Sequence, residues 1–406
     1  MNNIQAKKTN FEGGETFDRS LREQVIQNLM VGTSGDTFYA SKRELSEQAE
    51  SVLRQGIQED PEFVAKAAVY ARNHGLIKDA PVKALAMLAA GRGKTKSAFE
   101  AAFNLVIRIP DDLRKFALQL SSGSIAGKRG LGGFAKVAVR GWMSNISEHH
   151  AVKYGSQSSK GMTLRDLIKM SHPKPQNEAM SERFGWLIRG NKALGANPEL
   201  NPQIRALEAL KQAQTEEQVI ALIRQGRLPF EVVVPAVQQT TPGIWRELLF
   251  QAPYMNLLRN LVTFTRHDVF RQEDVVSHAV TKLIDQDQIK RSKVLPFRFF
   301  DAYNQYSKQE LKDSRILDAL REACNSSFVN LSSFGSQNVA IAPDVSGSMN
   351  STFGKGDTAF IDIAGVFTGA LLRQIKNRAI VLPFETRVRH DHSISVRDDV
   401  LVTAEK

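Results

Sequence analysis

The chain has 406 residues, more than one compact core holds at the usual ~100–200 residues per domain, so two or more packed units are expected. No apolar run reaches the ~18 residues of a membrane span and the first ten residues are polar, which argues against a span or a secretory signal. Cys324 is the only cysteine, which excludes an internal disulfide and a cysteine-based zinc cluster and agrees with the cytoplasm expected of a chain without span or signal; the net charge of +11 favours an anionic partner.

Helical signals dominate from about residue 17 to 325. Ser41 and Glu44 form a capping box, after which Leu45, Ala49, Val52, Leu53 and Ile57 recur on one face. Pro61 suits the first position of the next helix, and Gly75 is the expected left-handed stop. Pro81 opens a third, with Val82, Leu85 and Leu88 inward and Gly91 at its end. The same grammar returns over 200–225, 243–264, 272–290 and 307–324, which predicts an irregular helical-repeat body of the HEAT-like kind across residues 1–337.

After residue 337 the period changes. Asn338 to Asp344 reads as a buried strand, Thr358 to Lys376 as a helix, and Ala379 to Phe384 as a second strand, the start of a parallel α/β sheet. Two strands and one helix cannot cover both faces of such a sheet, so residues 338–406 are expected to be the first part of an incomplete α/β domain. Asp344, Ser346 and Ser348 follow the first strand and present a carboxylate and two hydroxyls at alternate positions, a set of hard oxygens suited to Mg²⁺ or another divalent cation. The plainer alternative is a polar turn in which Asp344 caps the following helix. The Asp-x-Ser-x-Ser pattern resembles the first metal-binding loop of von Willebrand A domains, and that resemblance implies that a Thr and an Asp from later loops, beyond residue 406, complete the site. Ser346 is a poor hydrolytic nucleophile, because Asp344 stands where a nucleophile elbow requires Gly.

The excess positive charge is concentrated. Residues 121–175 hold nine Lys and Arg against two acids: Lys128, Arg129, Lys136, Arg140, Lys153, Lys160, Arg165, Lys169 and Lys174, with His172 among them. Lys136 and Arg140, four apart, form a row on one side of a helix that Val137 and Val139 are expected to pack from the other. For any single lysine a solvated helix face explains the charge as well. For the cluster, a polyanion such as RNA explains it better.

Four segments carry a resemblance: Leu120 to Phe134 (LSSGSIAGKRGLGGF), Val152 to Tyr154 (VKY), Leu164 to Pro175 (LRDLIKMSHPKP) and Leu257 to Leu261 (LLRNL). In this order, and with an A-type domain after them, they look like the Ro (TROVE) family over essentially the whole chain. The resemblance implies a mostly α fold, a ring of helical repeats followed by a partial von Willebrand A-like domain. It further implies binding of small noncoding Y-like RNA and of the single-stranded 3′ ends of misfolded or unprocessed RNA, beside a 3′ exoribonuclease such as polynucleotide phosphorylase. The chain is expected to be a monomer and, because the sequence marks no carboxylate pair in a cleft and no nucleophile with its base, not an enzyme. Lys153, Lys160 and His172 match family positions linked to Y RNA. Lys128, Arg129, Lys136 and Arg140 are assigned to RNA on charge, with Arg165, Lys169 and Lys174 beside them. Without the resemblance His172 would read as a helix-end turn residue.

Other signals carry less. Gly91 to Thr95 ends like a phosphate loop, but Leu88 occupies the position of its first glycine and no strand precedes it. The pairs His149-His150 and His390-x-His392 lack the partners of a zinc site. A competing reading of different class is a protein-interaction scaffold, in which a Mg²⁺-dependent A-type domain captures a partner and RNA is irrelevant.

Overall fold

The computed structural model describes residues 6–9, 15–17, 19–31, 42–91, 93–123, 125, 130–155, 161–352 and 357–406. The chain divides into two compact units, Met1–Glu208 and Ala209–Lys406. Both are mainly helical, and the change of period at residue 338 falls inside the second unit.

The first unit opens with an antiparallel pair, β1 (Ala6–Thr9) and β2 (Glu15–Phe17). Helices follow: α1 (Leu21–Met30), α2 (Lys42–Glu59), α3 (Pro61–Asn73), α4 (Asp79–Ala90), α5 (Thr95–Val106), α6 (Pro110–Ser121), α7 (Gly133–Met143), α8 (Glu148–Gly155), α9 (Leu164–Ser171) and α10 (Glu178–Arg189). Pro61 does begin α3, with the Asp60 side chain accepting the Phe63 N–H at 3.0 Å. The left-handed residue after α3 is Leu76 (φ 57°), not Gly75. Gly75 is instead a close-approach position: a Cβ there would lie 2.8 Å from Met30 Cε and 2.9 Å from the Ala71 carbonyl oxygen. The capping box expected at Ser41 falls on residues outside those described.

Helix α4 is the hub. Pro81, Val82 and every residue from Ala84 to Ala89 are buried, and a helix apolar on all sides belongs inside the packed body, not on its surface. Phe99, Phe103 and Phe116 pack beside it with ring centroids 5.3–5.8 Å apart. One ion pair is buried with them: Arg72 Nη2 donates to Asp112 Oδ2 at 2.9 Å.

Helix α11 (Pro202–Leu210) leads into the second unit, which contains α12 (Glu216–Gly226), α13 (Phe230–Val233), α14 (Pro242–Gln251), α15 (Tyr254–Arg266), α16 (Glu273–Ile284), α17 (Gln286–Ser292), α18 (Pro296–Ser307) and α19 (Ser314–Ser326). Segments expected as single helices are split. The 200–225 stretch breaks between α11 and α12, 243–264 breaks at Ala252-Pro253, and 272–290 breaks at Asp285. Pro253 lacks the N–H that would continue α14, and the Asp285 side chain caps α17 by accepting from Gln288 N at 3.0 Å.

The chain then forms β3 (Val339–Ile341), α20 (Phe360–Ile375), β4 (Ala379–Val381) and α21 (Val400–Glu405). Strands β3 and β4 pair in parallel, Val339 with Ala379 and Ile341 with Val381, and a further bridge joins Asp344 to Phe384. Ile341 packs on Leu372 and Ile375 of α20, so the expected β–α–β unit forms with its helix against one face. Helix α21 lies close along α20, where a Cβ on Gly365 would come within 2.7 Å of Ala404 Cα.

Candidate nucleic-acid interface

Helix α7 starts at Gly132-Gly133, where no side chain caps the first N–H groups, and a Cβ on either glycine would meet nothing within 4 Å. Its buried stripe is Ala135, Val139 and Met143, spaced four apart. Lys136 and Arg140 lie on the flank of that stripe, Lys136 half-buried and Arg140 exposed. Val137 does not pack as expected. At 61% exposure it stands on the outer surface, because roughly 100° per residue carries it to the side away from Val139.

Arg140 ties α7 to the end of α9. Its Nε donates to the Ser171 carbonyl at 2.8 Å, which gives a C-terminal helix carbonyl the cation that position favours. Ser171 is buried and its Oγ donates to the Leu167 carbonyl at 2.6 Å. The next residue, His172, takes the left-handed conformation (φ 51°, ψ 60°), ends α9 through its N–H to Ile168 O at 2.9 Å, and is exposed. His172 is therefore both the helix-end residue of the plain reading and a surface group next to Arg140's anchor.

Around this junction α9 presents Arg165 and Lys169, four apart and both exposed, opposite its buried Leu164, Leu167, Ile168 and Ser171. Lys174 is exposed just beyond buried Pro173. Among the described residues none of Lys136, Arg140, Arg165, Lys169 and Lys174 is in an ion pair. The segment's two acids are used elsewhere: Asp166 closes a capping box with Thr163, and Glu148 accepts the Ile204 N–H at 2.9 Å. Their charge is thus not spent on the cations around them. Lys153 is half-buried on α8 and has a partner of its own. Lys128, Arg129 and Lys160 lie outside the described residues.

The Asp344 loop gathers its three oxygen-bearing side chains. Asp344 Oδ1 accepts the Ser346 N–H at 2.9 Å, and this backbone hydrogen bond holds the carboxyl below the usual carboxylate range. The Ser346 and Ser348 hydroxyl oxygens are 3.1 Å apart. One carboxylate and two hydroxyls fit part of the coordination sphere of a hard cation that keeps several waters. Among the described residues no three His, Cys, Asp or Glu side chains cluster as a metal site.

Sequence reading missed a cleft of about 780 Å³ on the other flank of α7, lined from α5, α7 and α8. It draws Asn104, Val137, Trp142 and His150 together across segments distant in sequence, so no periodic signal marks it. Of the four histidines in the two pairs named above, His150 forms part of this wall, in near-parallel contact with Trp142, whereas His392 Nε2 contacts the Val381 carbonyl at 3.1 Å.

The TROVE domain family model matches residues 28–226 and 233–341. The chain is 27% identical over 363 residues to a protein of Deinococcus radiodurans named RNA-binding protein RO60, covering 84% of this chain and 65% of that one. A Caenorhabditis elegans protein of the same name is 24% identical over 459 residues, with 92% and 70% covered. The chain thus spans a little under two thirds of the bacterial relative's length. The crystal structure of the Deinococcus radiodurans RO (RSR) protein superposes with a TM-score of 0.74 at 22% identity, covering 95% of this chain and 79% of that one, a likeness of fold.

Proposed function

Because the chain belongs to the TROVE domain family, we propose that it binds RNA through the basic surface where α7 meets the end of α9, with phosphates on Lys136, Arg140, Arg165, Lys169 and Lys174 and with His172 beside them. The observation that carries this reading is the set of cations left without ion pairs around the Arg140–Ser171 junction, in a chain that pairs many of its others. Phosphate contacts of this kind position a strand and supply affinity, while shape and a free end supply selectivity. The two relatives named RNA-binding proteins support the class of ligand.

The finer reading is that the ligands are small Y-like noncoding RNAs and the single-stranded 3′ ends of misfolded or unprocessed RNA, presented in the cytoplasm to a 3′ exoribonuclease such as polynucleotide phosphorylase. It assigns no catalytic step to this chain. Among the described residues no helix is long and apolar enough to cross a membrane. Lys128, Arg129, Lys153 and Lys160 belong to the same proposed surface by sequence. Residues 1–337 act as the RNA-binding body and 338–406 as the start of the A-type domain, where Asp344, Ser346 and Ser348 would hold Mg²⁺ or another divalent cation. Bound there, the ion would supply an electrophilic contact for an oxygen of a partner; a Mg²⁺-dependent rise in melting temperature that Asp344→Asn abolishes is the direct check.

The decisive experiment is RNA affinity as a function of salt. Lys136→Ala, Lys169→Ala and Lys174→Ala together remove three charges held in no ion pair, one half-buried and two exposed. Each lost contact to a single strand lowers the steepness of log K against log salt by roughly 0.7, so the triple variant should lose about 2 from the slope. An unchanged slope refutes the assignment.

A further inference from the structure

Helix α7 has a third face. From the buried stripe of Ala135, Val139 and Met143, the Lys136–Arg140 row lies roughly 80° to one side, and Ala138 and Gly141 lie roughly 130° to the other, along the floor of the cleft. Exposed Val137 is the ridge between row and cleft, so a strand crossing a helix about 10–12 Å wide passes from one to the other. The cleft walls are rings: Phe134, Trp142 and His150. Trp142 is fixed in plane because its Nε1 donates to the Ile107 carbonyl at 3.2 Å, and His150 faces it with planes 18° apart and centroids at 6.3 Å. The Asn104 carboxamide supplies a donor and an acceptor, Asn145, whose Nδ2 donates to the Gly141 carbonyl at 2.9 Å, presents its acceptor oxygen, and Arg108 supplies a cation. The one acid lining the cleft, Glu100, is within 3.8 Å of Lys96.

Gly141 adds an independent observation. Glycine in a helix interior weakens the helix, and a Cβ at Gly141 would meet no atom within 4 Å, so nothing in the fold requires glycine there. What its absent side chain preserves is open space on the cleft floor.

We propose that this cleft takes an unpaired nucleobase of an RNA strand whose neighbouring phosphates lie on Lys136 and Arg140, the base stacking on the Trp142 and His150 rings while Asn104 and Asn145 meet its edge. The inference rests on the RNA-binding reading and adds to it a place where the protein touches a base. Burial, with the charges of His149 and Lys153, holds the His150 imidazole below its ordinary range, so at neutral pH it offers an uncharged ring with one donor and one acceptor. A protein segment is the competing occupant; the adjoining cation row and the lack of an unpaired acid favour the nucleotide.

The test uses the full chain and two labelled probes of equal charge, a single-stranded adenylate hexamer and the same backbone without bases. Trp186 and Trp245 are 6% and 3% exposed, so a change in tryptophan emission on titration reports Trp142. The hexamer should change that emission and bind roughly 5- to 150-fold more tightly than the abasic strand, the range of one stacked base. Gly141→Leu, whose Cβ meets no atom within 4 Å and whose longer chain fills the floor, and Asn104→Asp, at an exposed rim position, should each remove most of that advantage and leave abasic binding within about threefold for the leucine variant. Equal binding of the two probes, or full hexamer affinity in both variants, overturns the cleft assignment and leaves the RNA reading standing. If neither probe binds and structured RNA is also unbound, the RNA reading itself falls.

Discussion

Removing Asp112 tests the packing that supports the cleft wall. Asp112 is 1% exposed, and its Oδ2 accepts from Arg72 Nη2 at 2.9 Å and from the backbone N–H groups of Arg108 and Ile109 at 3.1 and 3.2 Å. Arg72, 8% exposed, also donates from Nε to the Val106 carbonyl at 3.2 Å. Asp112→Ala leaves a buried guanidinium without its counter-charge and two N–H groups without an acceptor. Breaking a buried pair from one side costs about 3–5 kcal/mol, and that is the expected loss. Asp112→Asn keeps one acceptor oxygen and similar volume, so about 1–3 kcal/mol is expected. Adding Arg72→Met to Asp112→Ala removes the stranded charge, and the double variant should be less damaged than the sum of the singles by about 1–3 kcal/mol. Because the chain has two units, global unfolding mixes their transitions. Native-state hydrogen exchange over α3, α5 and α6 is the proper assay, where a loss of ~3 kcal/mol raises exchange about a hundredfold. A change under about 1 kcal/mol for Asp112→Ala, or strict additivity in the double variant, refutes the reasoning.

Three further outcomes are expected. Burial first, with the Asp399 charge behind it, pushes the Cys324 thiol up to about 12, so at pH 8 a thiol reagent should label the native protein only through opening; rapid native labelling would contradict this. In the second unit, hydrogen bonds from Arg315 to Glu273 and Asp313, and from Arg246 to Asp274, hold all three carboxyls below their usual range. Folded values below the unfolded ones mean stability that is present above about pH 4–5 and lost as pH falls through the folded values, so the melting temperature of this unit should fall on acidification below about pH 4, and less so in high salt. Two glycine substitutions should differ in sign: Gly365→Ala drives a methyl toward Ala404 Cα and should cost about 1–3 kcal/mol, read as faster proteolysis at α21, whereas Gly141→Ala should raise stability by roughly 0.5–1 kcal/mol.

Features set by neighbours in the chain were legible in the sequence. Pro61 placed the start of α3, Gly91 the end of α4, and the shift in apolar spacing after residue 337 placed β3, α20 and β4. Where tertiary packing decides, the local signal misled. Gly75 suggested a left-handed stop, but its lack of a side chain makes room for Met30, and Leu76 takes the positive φ. Val137 looked like a packing residue beside Val139, yet the packing stripe of α7 runs through Ala135 and Met143. The basic residues were readable because charge is a composition signal; their link to the end of α9 was not, since Arg140 and Ser171 are 31 positions apart. The cleft was illegible for the same reason, with Gly141 its single local trace.

The bond from Arg140 to the Ser171 carbonyl places one side chain under two demands. Under the proposed function its guanidinium both joins two helices and meets a phosphate, so a defect at this position cannot separate a weakened joint from a lost contact. Lysine, a point charge without the planar fork, answers to only one of the two. Genetic dissection of the surface is therefore cleaner at Lys169 and Lys174, exposed cations held in no ion pair, and an allele at Arg140 should be interpreted as a change in architecture first.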